Sequence, residues 1–269
     1  MARVRLDDEL ISQGICDTRA DALRILMAGL VSSGGNRLSS PGMMVKPGIE
    51  LHVKGRIPYV GRGGLKLAGA LDACAVDPTG LDCLDVGCST GGFTDCLLKR
   101  GARSVLSVDV GRAQFDWSLR QDERVTLLER TNIVDVPGMG RSNCCQLAVC
   151  DVSFTSVRTV LPAVLDILDG NGRFLTLVKP QFEADAHQVE EGGIVRDPAV
   201  WLSTLVATIR AFDEAGLRPL FVCASPISGH KGNHEFFLLG GRGAYAADAP
   251  AVEDVISSAQ RVVEEVARS

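Results

Sequence analysis

The chain has 269 residues, of which 46% are hydrophobic and 5% aromatic, and a formal net charge of −5. That length accommodates one sizeable α/β domain and a smaller one, and that composition supports a packed core. There is no cationic start followed by an apolar stretch and a cleavage site, and apolar runs such as "LRILMAGLV", interrupted by Arg24, fall short of the roughly 20 residues of a membrane span, so a soluble cytoplasmic protein with no membrane partner is expected.

Nine cysteines without any C-x-x-C, an odd number, with Cys83, Cys88, Cys150 and Cys223 in or beside apolar strand-like runs, read as buried free thiols of a reducing compartment. His230 and His234 have helical i,i+4 spacing, but Gly232 and Asn233 oppose a helix there and no third ligand is evident, so no metal site is expected. Charge is unevenly spread. Residues 1–66 carry 10 Lys and Arg against 6 Asp and Glu, while the remainder carries 18 against 27. A basic piece ahead of an acidic body suggests an anionic partner met at one end.

In chain order, residues 1–54 read as a first domain. "RLDDELISQG" and "TRADALRILMAG" are two short amphipathic helices ended by Gly14 and Gly29, with Thr18 as an N-cap. "LVSSGG", "MMVKPG" and "IELHVKG" follow as short strands between Gly and Pro turns. Two helices and then small strands, with arginines on the second helix, resemble the S4-like RNA-binding domain. The resemblance implies that Arg5, Arg19, Arg24 and Lys46 contact phosphates of a folded RNA, which positions a substrate without reading its sequence.

"GRIPYVG", residues 55–61, reads as a linker. Next comes "VGRGGLKLAGAL", where a lysine stands behind a glycine run. A phosphate loop would need G-x-x-x-x-G-K-[ST]; here Leu65 separates Gly64 from Lys66 and Leu67 replaces the hydroxyl residue. On local spacing, Leu67, Ala70, Leu71 and Cys74 predict a helix.

From residue 81 strands alternate with helices. "CLDVG", "SVLSVDV", "VTLLER", "CCQLAVCDVSF" and "GRFLTLVKP" are predicted strands, and "GGFTDCLLKRG", "AQFDWSLRQ", "VRTVLPAVLDIL" and "AVWLSTLVATIRAFDEAG" predicted helices. "RPLFVCAS" and "HEFFLLGG" close the sheet as a hairpin at its edge. This order implies a mostly parallel, doubly wound, Rossmann-like α/β sheet, whose ligands bind at the carboxyl ends of the strands. The tail "APAVEDVISSAQRVVEEVARS" repeats apolar residues at helical spacing (Val252, Val255, Ile256, Ala259, Val262, Val263, Val266) and is expected to pack back as a helix over residues 244–269.

The first strand runs into "LDVGCSTGGFT". A dinucleotide fingerprint would be G-x-G-x-x-G; instead Asp85 precedes the turn and Ser89 stands where the second glycine belongs. D-x-G-x-x-x-G-G resembles motif I of the class I S-adenosylmethionine methyltransferases. The resemblance implies that cofactor, held by Asp85, Gly87, Ser89, Thr90, Gly91, Gly92 and Phe93, with Asp109 accepting both ribose hydroxyls and Thr131 and Asn132 near the adenine.

Two further strands end in charge, at Asp151 and Lys179, and Glu235 starts the last one. A charge at the end of "FLTLVK" must emerge at the sheet rim, because burial unpaired costs several kcal/mol. Lys66, Asp151, Lys179 and Glu235, in that order, resemble the tetrad of the FtsJ-like ribose 2′-O-methyltransferases. With the N-terminal module, "VGRGGLKL", "DVSF", "VKPQFE" and "SGHKGNHEFF", the chain over residues 3 to 240 resembles the TlyA family of rRNA 2′-O-methyltransferases. That implies a methyltransferase domain over 62–243, ribosomal RNA within ribosomal subunits as partner, a cytidine ribose as acceptor, Arg62 among the RNA-binding residues, and no metal. Lys179 is expected to act as base and Lys66 to steer the hydroxyl, with Asp151 and Glu235 orienting the two lysines. A lysine serves as base only when neutral.

A non-catalytic RNA-binding or ribosome-assembly factor with a relic cofactor fold would not need the intact acids and lysines. A cytolysin, suggested by the hemolysin label some family members carry, would need a signal, a span or a long amphipathic pore segment. Base or amine methylation commonly uses Asn-Pro-Pro-Tyr, which does not occur.

Overall fold

The computed structural model describes residues 3–13, 15–16, 18–55 and 58–269, apart from the side chain of His230. The chain divides into two compact units, Met1–Ile57 and Pro58–Ser269.

The first unit contains β1 (Val4–Arg5), α1 (Leu6–Ser12), α2 (Arg19–Met27), β2 (Val31–Ser33), β3 (Asn36–Leu38), β4 (Met44–Val45) and β5 (His52–Val53). Leu6 and Leu10 on α1, and Ala22 and Leu26 on α2, lie one turn apart and bury a common face with Val31 and Val45. Thr18 caps α2, its hydroxyl accepting the Asp21 N–H at 3.2 Å. Gly29, with φ +64°, follows the end of that helix, whereas Gly14 lies outside the described residues. β1 and β3 went unforeseen, since strands of two or three residues show no alternation to read.

Two arginines expected to face RNA have another task. Asp7 is buried and held by both Arg5 (2.8 Å) and Arg19 (3.2 Å). Arg19 also reaches Asp8 at 3.2 Å, and Arg24 pairs with Asp21 at 2.8 Å. A buried carboxylate must be paired, so Arg5 and Arg19 belong first to the framework of this unit. Lys46 is exposed.

The second unit contains α3 (Gly63–Ala73), β6 (Asp82–Val86), α4 (Gly92–Lys99), β7 (Ser104–Asp109), α5 (Trp117–Arg120), β8 (Val125–Glu129), β9 (Cys145–Cys150), α6 (Val157–Ile167), β10 (Leu168–Val178), α7 (Pro180–Glu183), α8 (Pro198–Glu214), β11 (Arg218–Ala224), β12 (Phe236–Gly241), α9 (Ala244–Ala247) and α10 (Val252–Arg268). Part of the expected linker belongs to it: Tyr59 packs on Gly64, and the Val60 N–H donates to Asp95. Its sheet runs β11-β12-β10-β9-β6-β7-β8. β10, β9, β6, β7 and β8 are parallel, and β12 is antiparallel to both β10 and β11. The last strand is therefore inserted inside the sheet, leaving β11 as the edge.

Both faces are covered, so the strands carry apolar residues on both faces rather than on alternate positions only. Leu84, Val86, Leu106, Val108, Phe174 and Phe236 face one core with α6, α8 and α10; Cys83, Val105, Leu147, Val149, Leu175 and Phe237 face the other with α3 and α4. Cys74, Cys83, Cys88, Cys96, Cys144, Cys145, Cys150 and Cys223 are free thiols, several embedded in these layers. Val255, Ala259 and Val263 bury the apolar stripe of α10. The helix expected from Ala113 shrinks to Trp117–Arg120, because Ala113 takes φ +58° and Asp116 starts a new helix by accepting the Ser118 N–H at 2.8 Å. No helix among the described residues is long and apolar enough to cross a membrane.

Asp7 titrates below the usual carboxylate range, chiefly through its hydrogen bond from Arg5. A depressed folded-state value means that its stabilisation is present above about pH 4, the ordinary carboxylate value, and disappears as pH falls further. Asp7→Asn should therefore lower the melting temperature at pH 7 and weaken the acid-induced decline, as followed by circular dichroism from neutral to acid pH. A variant melting like the wild type at pH 7 would show that Asp7 holds nothing.

Candidate active site

Register places the site. Val86 pairs with Val108 on one side and Cys150 on the other, so Gly87, Asp109 and Asp151 all stand one residue past the same row. Thr176 pairs with Cys150 and Val178 with Phe236, which brings Lys179 and Glu235 to that rim from neighbouring strands of opposite direction. The chain reverses its direction of growth between β6 and β9, and a crevice opens where loops leave to opposite sides.

Lys66 arrives from outside the sheet, on the first turn of α3. The glycines ahead of it allow close approach. A Cβ on Gly64 would stand 2.2 Å from Cγ of Tyr59, and one on Gly92 would stand 3.0 Å from the Gly64 nitrogen. The helix carrying Lys66 thus nests against the start of α4, which carries the glycine turn after β6. That contact explains the glycine run without any phosphate.

Four charged side chains expected to meet do line one cavity of about 620 Å³. They form two pairs. Lys66 Nζ donates to Glu235 Oε2 at 2.6 Å, and Lys179 Nζ lies 2.5 Å from Asp151 Oδ1 and 3.0 Å from Ser153 Oγ. Lys66, Lys179 and Glu235 are 9%, 8% and 4% exposed. Ammonium groups this buried require a carboxylate partner. The loop bearing Asp151 is braced from behind: Glu183, in "KPQFE", accepts the Ser156 hydroxyl at 2.5 Å and the Val157 N–H at 2.6 Å, fixing the start of α6.

A second cavity of about 690 Å³ adjoins the first, sharing Gly87, Ser89, Asp151, Ser153 and Phe154 in its walls. Its sides are apolar (Val86, Val108, Val110, Ile133, Val134), and Asp109, Thr131 and Asn132 lie among them. Asp109 is oriented by N–H donors from Ser89 (2.7 Å) and Gly111 (2.6 Å). Each carboxylate oxygen keeps a free lone pair for a further hydroxyl. An apolar slot with one fixed carboxylate suits a nucleoside: ring faces against the valines, diol against the acid. Thr131 spends its hydroxyl on the Glu129 carbonyl (3.0 Å), and Asn132 Oδ1 caps the following turn through the Val134 N–H (3.3 Å).

Of the remaining cofactor candidates, Gly87, Ser89, Thr90, Gly92 and Phe93 line the first cavity. Gly91, at φ +95°, starts α4 and lines neither. Gly87 needs φ +80°, and a Cβ there would come within 2.9 Å of the Asp151 carbonyl oxygen. The expectation for Asp85 requires correction. It has no exposed surface, lines neither cavity, and accepts the Thr94 hydroxyl at 2.7 Å, with Ser107 2.8 Å beyond. The pleat turns Asp85 toward α4, so it fastens the helix after the glycine turn rather than meeting a ligand. Arg62 is exposed, its guanidinium donating to the Ser228 carbonyl at 3.3 Å.

The motif reading passed over Ser153, Phe154, Gln181, Phe182, Lys231 and Asn233, all in the first cavity wall. Phe154 carried a signal only in retrospect, as an aromatic just past a strand-ending acid. It is 92% exposed, at φ +62°, with its ring centroid 5.1 Å from that of Phe182.

Burial raises Asp85 to about 7, with the charges of Asp151 and Asp109 adding to the effect. The folded chain then keeps a proton that the unfolded chain loses near pH 4, so this group makes stability fall as pH rises from about 4 to about 7. Asp85→Asn should remove that part of the decline, seen as a smaller change in denaturation midpoint across the interval. An unchanged slope would refute the burial of this charge.

Comparison with known proteins gives a consistent picture. The FtsJ-like methyltransferase model matches residues 59–242 and the S4 domain model residues 4–51. YqxC of Bacillus subtilis, provisionally named an rRNA methyltransferase, is 44% identical over 236 residues, 87% of this chain and 84% of that protein. The 16S/23S rRNA (cytidine-2′-O)-methyltransferase TlyA of Mycobacterium tuberculosis is 40% identical over 260 residues, 96% of this chain and 97% of its own length. Among solved structures, a Streptococcus thermophilus protein provisionally named a hemolysin superimposes over 100% of both chains with a TM-score of 0.68 and 36% identity.

Proposed function

Because the chain belongs to the FtsJ-like methyltransferase family and, within it, to the TlyA proteins, we propose that it methylates a ribose 2′-hydroxyl of ribosomal RNA, using S-adenosylmethionine. The observation that carries this reading is the convergence of Lys66, Asp151, Lys179 and Glu235 on one cavity that opens into a slot with a fixed carboxylate. By the name its M. tuberculosis relative bears, the acceptor is a cytidine ribose.

In this reading Asp109 would hold the ribose of the cofactor, Val110, Ile133 and Val134 would flank its adenine, and the backbone at Gly87 and Ser89 would meet its amino-acid part. When bound, the cofactor would supply an electrophilic methyl group on a sulfonium sulfur, with the neutral thioether as the leaving group. The acceptor would enter the first cavity, where Lys179, in its neutral form, would take the proton of the 2′-hydroxyl. Asp151, at the junction of the two cavities, fixes the lysine that does this. Lys66, held by Glu235, directs the hydroxyl. Holding oxygen and methyl in line supplies much of the acceleration, and proton transfer to a placed base contributes about 10²- to 10⁴-fold. The S4 domain brings the RNA, with Lys46 and Arg24 among its phosphate contacts, and a ribosomal substrate puts the reaction in the cytoplasm.

Lys179→Met should reduce methyl transfer to ribosomal subunits by about 10²- to 10⁴-fold, while cofactor affinity by calorimetry stays within a few-fold of wild type. Transfer at near wild-type rate would remove Lys179 from the base role. Mapping 2′-O-methylated riboses in rRNA from cells with and without the gene identifies the acceptor. If no rRNA ribose changes, the proposed substrate is wrong.

A further inference from the structure

Three lysines line the acceptor cavity, and they are not equivalent. Lys66 and Lys179 are each neutralised by a carboxylate. Lys231 has no carboxylate partner among the described residues; its ammonium donates to the Gly192 carbonyl at 2.9 Å and is otherwise exposed. An ammonium has three donors, so two remain for something else.

The backbone of Lys231 is unusual as well. It takes φ +56° and ψ +21°, the left-handed region that glycine enters freely and a lysine enters at a cost. The segment is prevented from relaxing. Asn233, buried, accepts the Val195 N–H at 3.0 Å through Oδ1 and donates to the Gly193 carbonyl at 2.8 Å through Nδ2. The Gly229 N–H donates to the carbonyl of Asn233 at 2.9 Å. Two loops are thereby stapled across one side of the cavity, and Lys231 projects between them. Gly192, at φ +90°, has no side chain to cover the ammonium.

We propose that Lys231 is a phosphate-binding residue for the RNA acceptor, its ammonium contacting a phosphodiester next to the ribose presented to Lys179. This rests on the functional reading above and extends it. Lys66, Glu235, Lys179 and Asp151 sum to no net charge, so the chemistry-bearing centre offers a polyanion no net attraction. A ribose within an RNA chain nevertheless carries a phosphate on either side. The unpaired cation on the wall meets that requirement at the acceptor end of the cavity. Contact with a phosphate orients the strand and is indifferent to base identity.

The test compares wild type, Lys231→Ala, Lys231→Gly and Lys231→Arg for methyl transfer to ribosomal subunits between about 50 and 200 mM salt. Lys231→Ala should raise KM for the RNA about five- to tenfold, lower the slope of log KM against log salt by about one, and leave kcat and cofactor affinity nearly unchanged. Lys231→Arg should recover KM and slope. Lys231→Gly should show the KM defect of the alanine variant with a higher melting temperature, since the backbone cost is relieved. An unchanged KM and salt slope in Lys231→Ala, or a loss confined to kcat, would overturn the assignment. Wild type that methylates no RNA would instead overturn the functional reading; direct binding of ribosomal RNA over the same salt series then decides Lys231 by the same slope criterion.

Discussion

Burying an ammonium group without a partner costs several kcal/mol, and this protein buries two, Lys66 and Lys179, in the wall of one crevice. Each is tolerated because the fold delivers a carboxylate to it from a distant part of the chain. Glu235 reaches Lys66 across 169 positions, and Asp151 meets Lys179 from the neighbouring strand. Breaking either pair by removing one partner leaves an uncompensated charge, so the pairs tie the integrity of the crevice to the chemistry it performs. They also keep the four groups in one place before any substrate arrives.

The sheet makes that delivery possible. A common row of paired residues, Val86, Val108 and Cys150, sets Gly87, Asp109 and Asp151 at one level. Insertion of the antiparallel β12 beside β10 lets a residue that begins a strand stand next to one that ends a strand. Glu235 and Lys179 share a rim for this reason alone. Behind the rim, Asp85, Thr94 and Ser107 hold α4 to the sheet, and Glu183 anchors α6. These residues serve the site without lining it, by fixing the helices that follow its loops.

Charge is distributed in the same economical way elsewhere. In the first unit Arg5 and Arg19 surround a buried Asp7, which leaves the exposed Lys46 with freer electrostatics than the arginines that a sequence pattern singles out. In the methyltransferase unit the paired lysines are matched by Lys231, a cation without a carboxylate partner among the described residues. A basic residue count does not distinguish the two kinds; only the presence of a nearby acid does.

Much was legible in the amino-acid order. Apolar runs bounded by glycine, and charges at their ends, identified the parallel sheet, the glycine turn and three of the rim charges, Asp151, Lys179 and Glu235, since strand period, turn chemistry and the intolerance of cores for charge are local properties. Lys66, inside a helix, joined them only through the family resemblance. The extent of α5 escaped, because Asp116 as a cap and the positive φ of Ala113 outweigh helical spacing. What sequence could not state was partnership. Lys66 belongs with Glu235, Lys179 with Asp151, Asp85 with Thr94 inside the protein, and Lys231 with no acid among the described residues. Register and strand insertion decide these distances, and both depend on contacts between segments far apart in the chain, which no local pattern encodes.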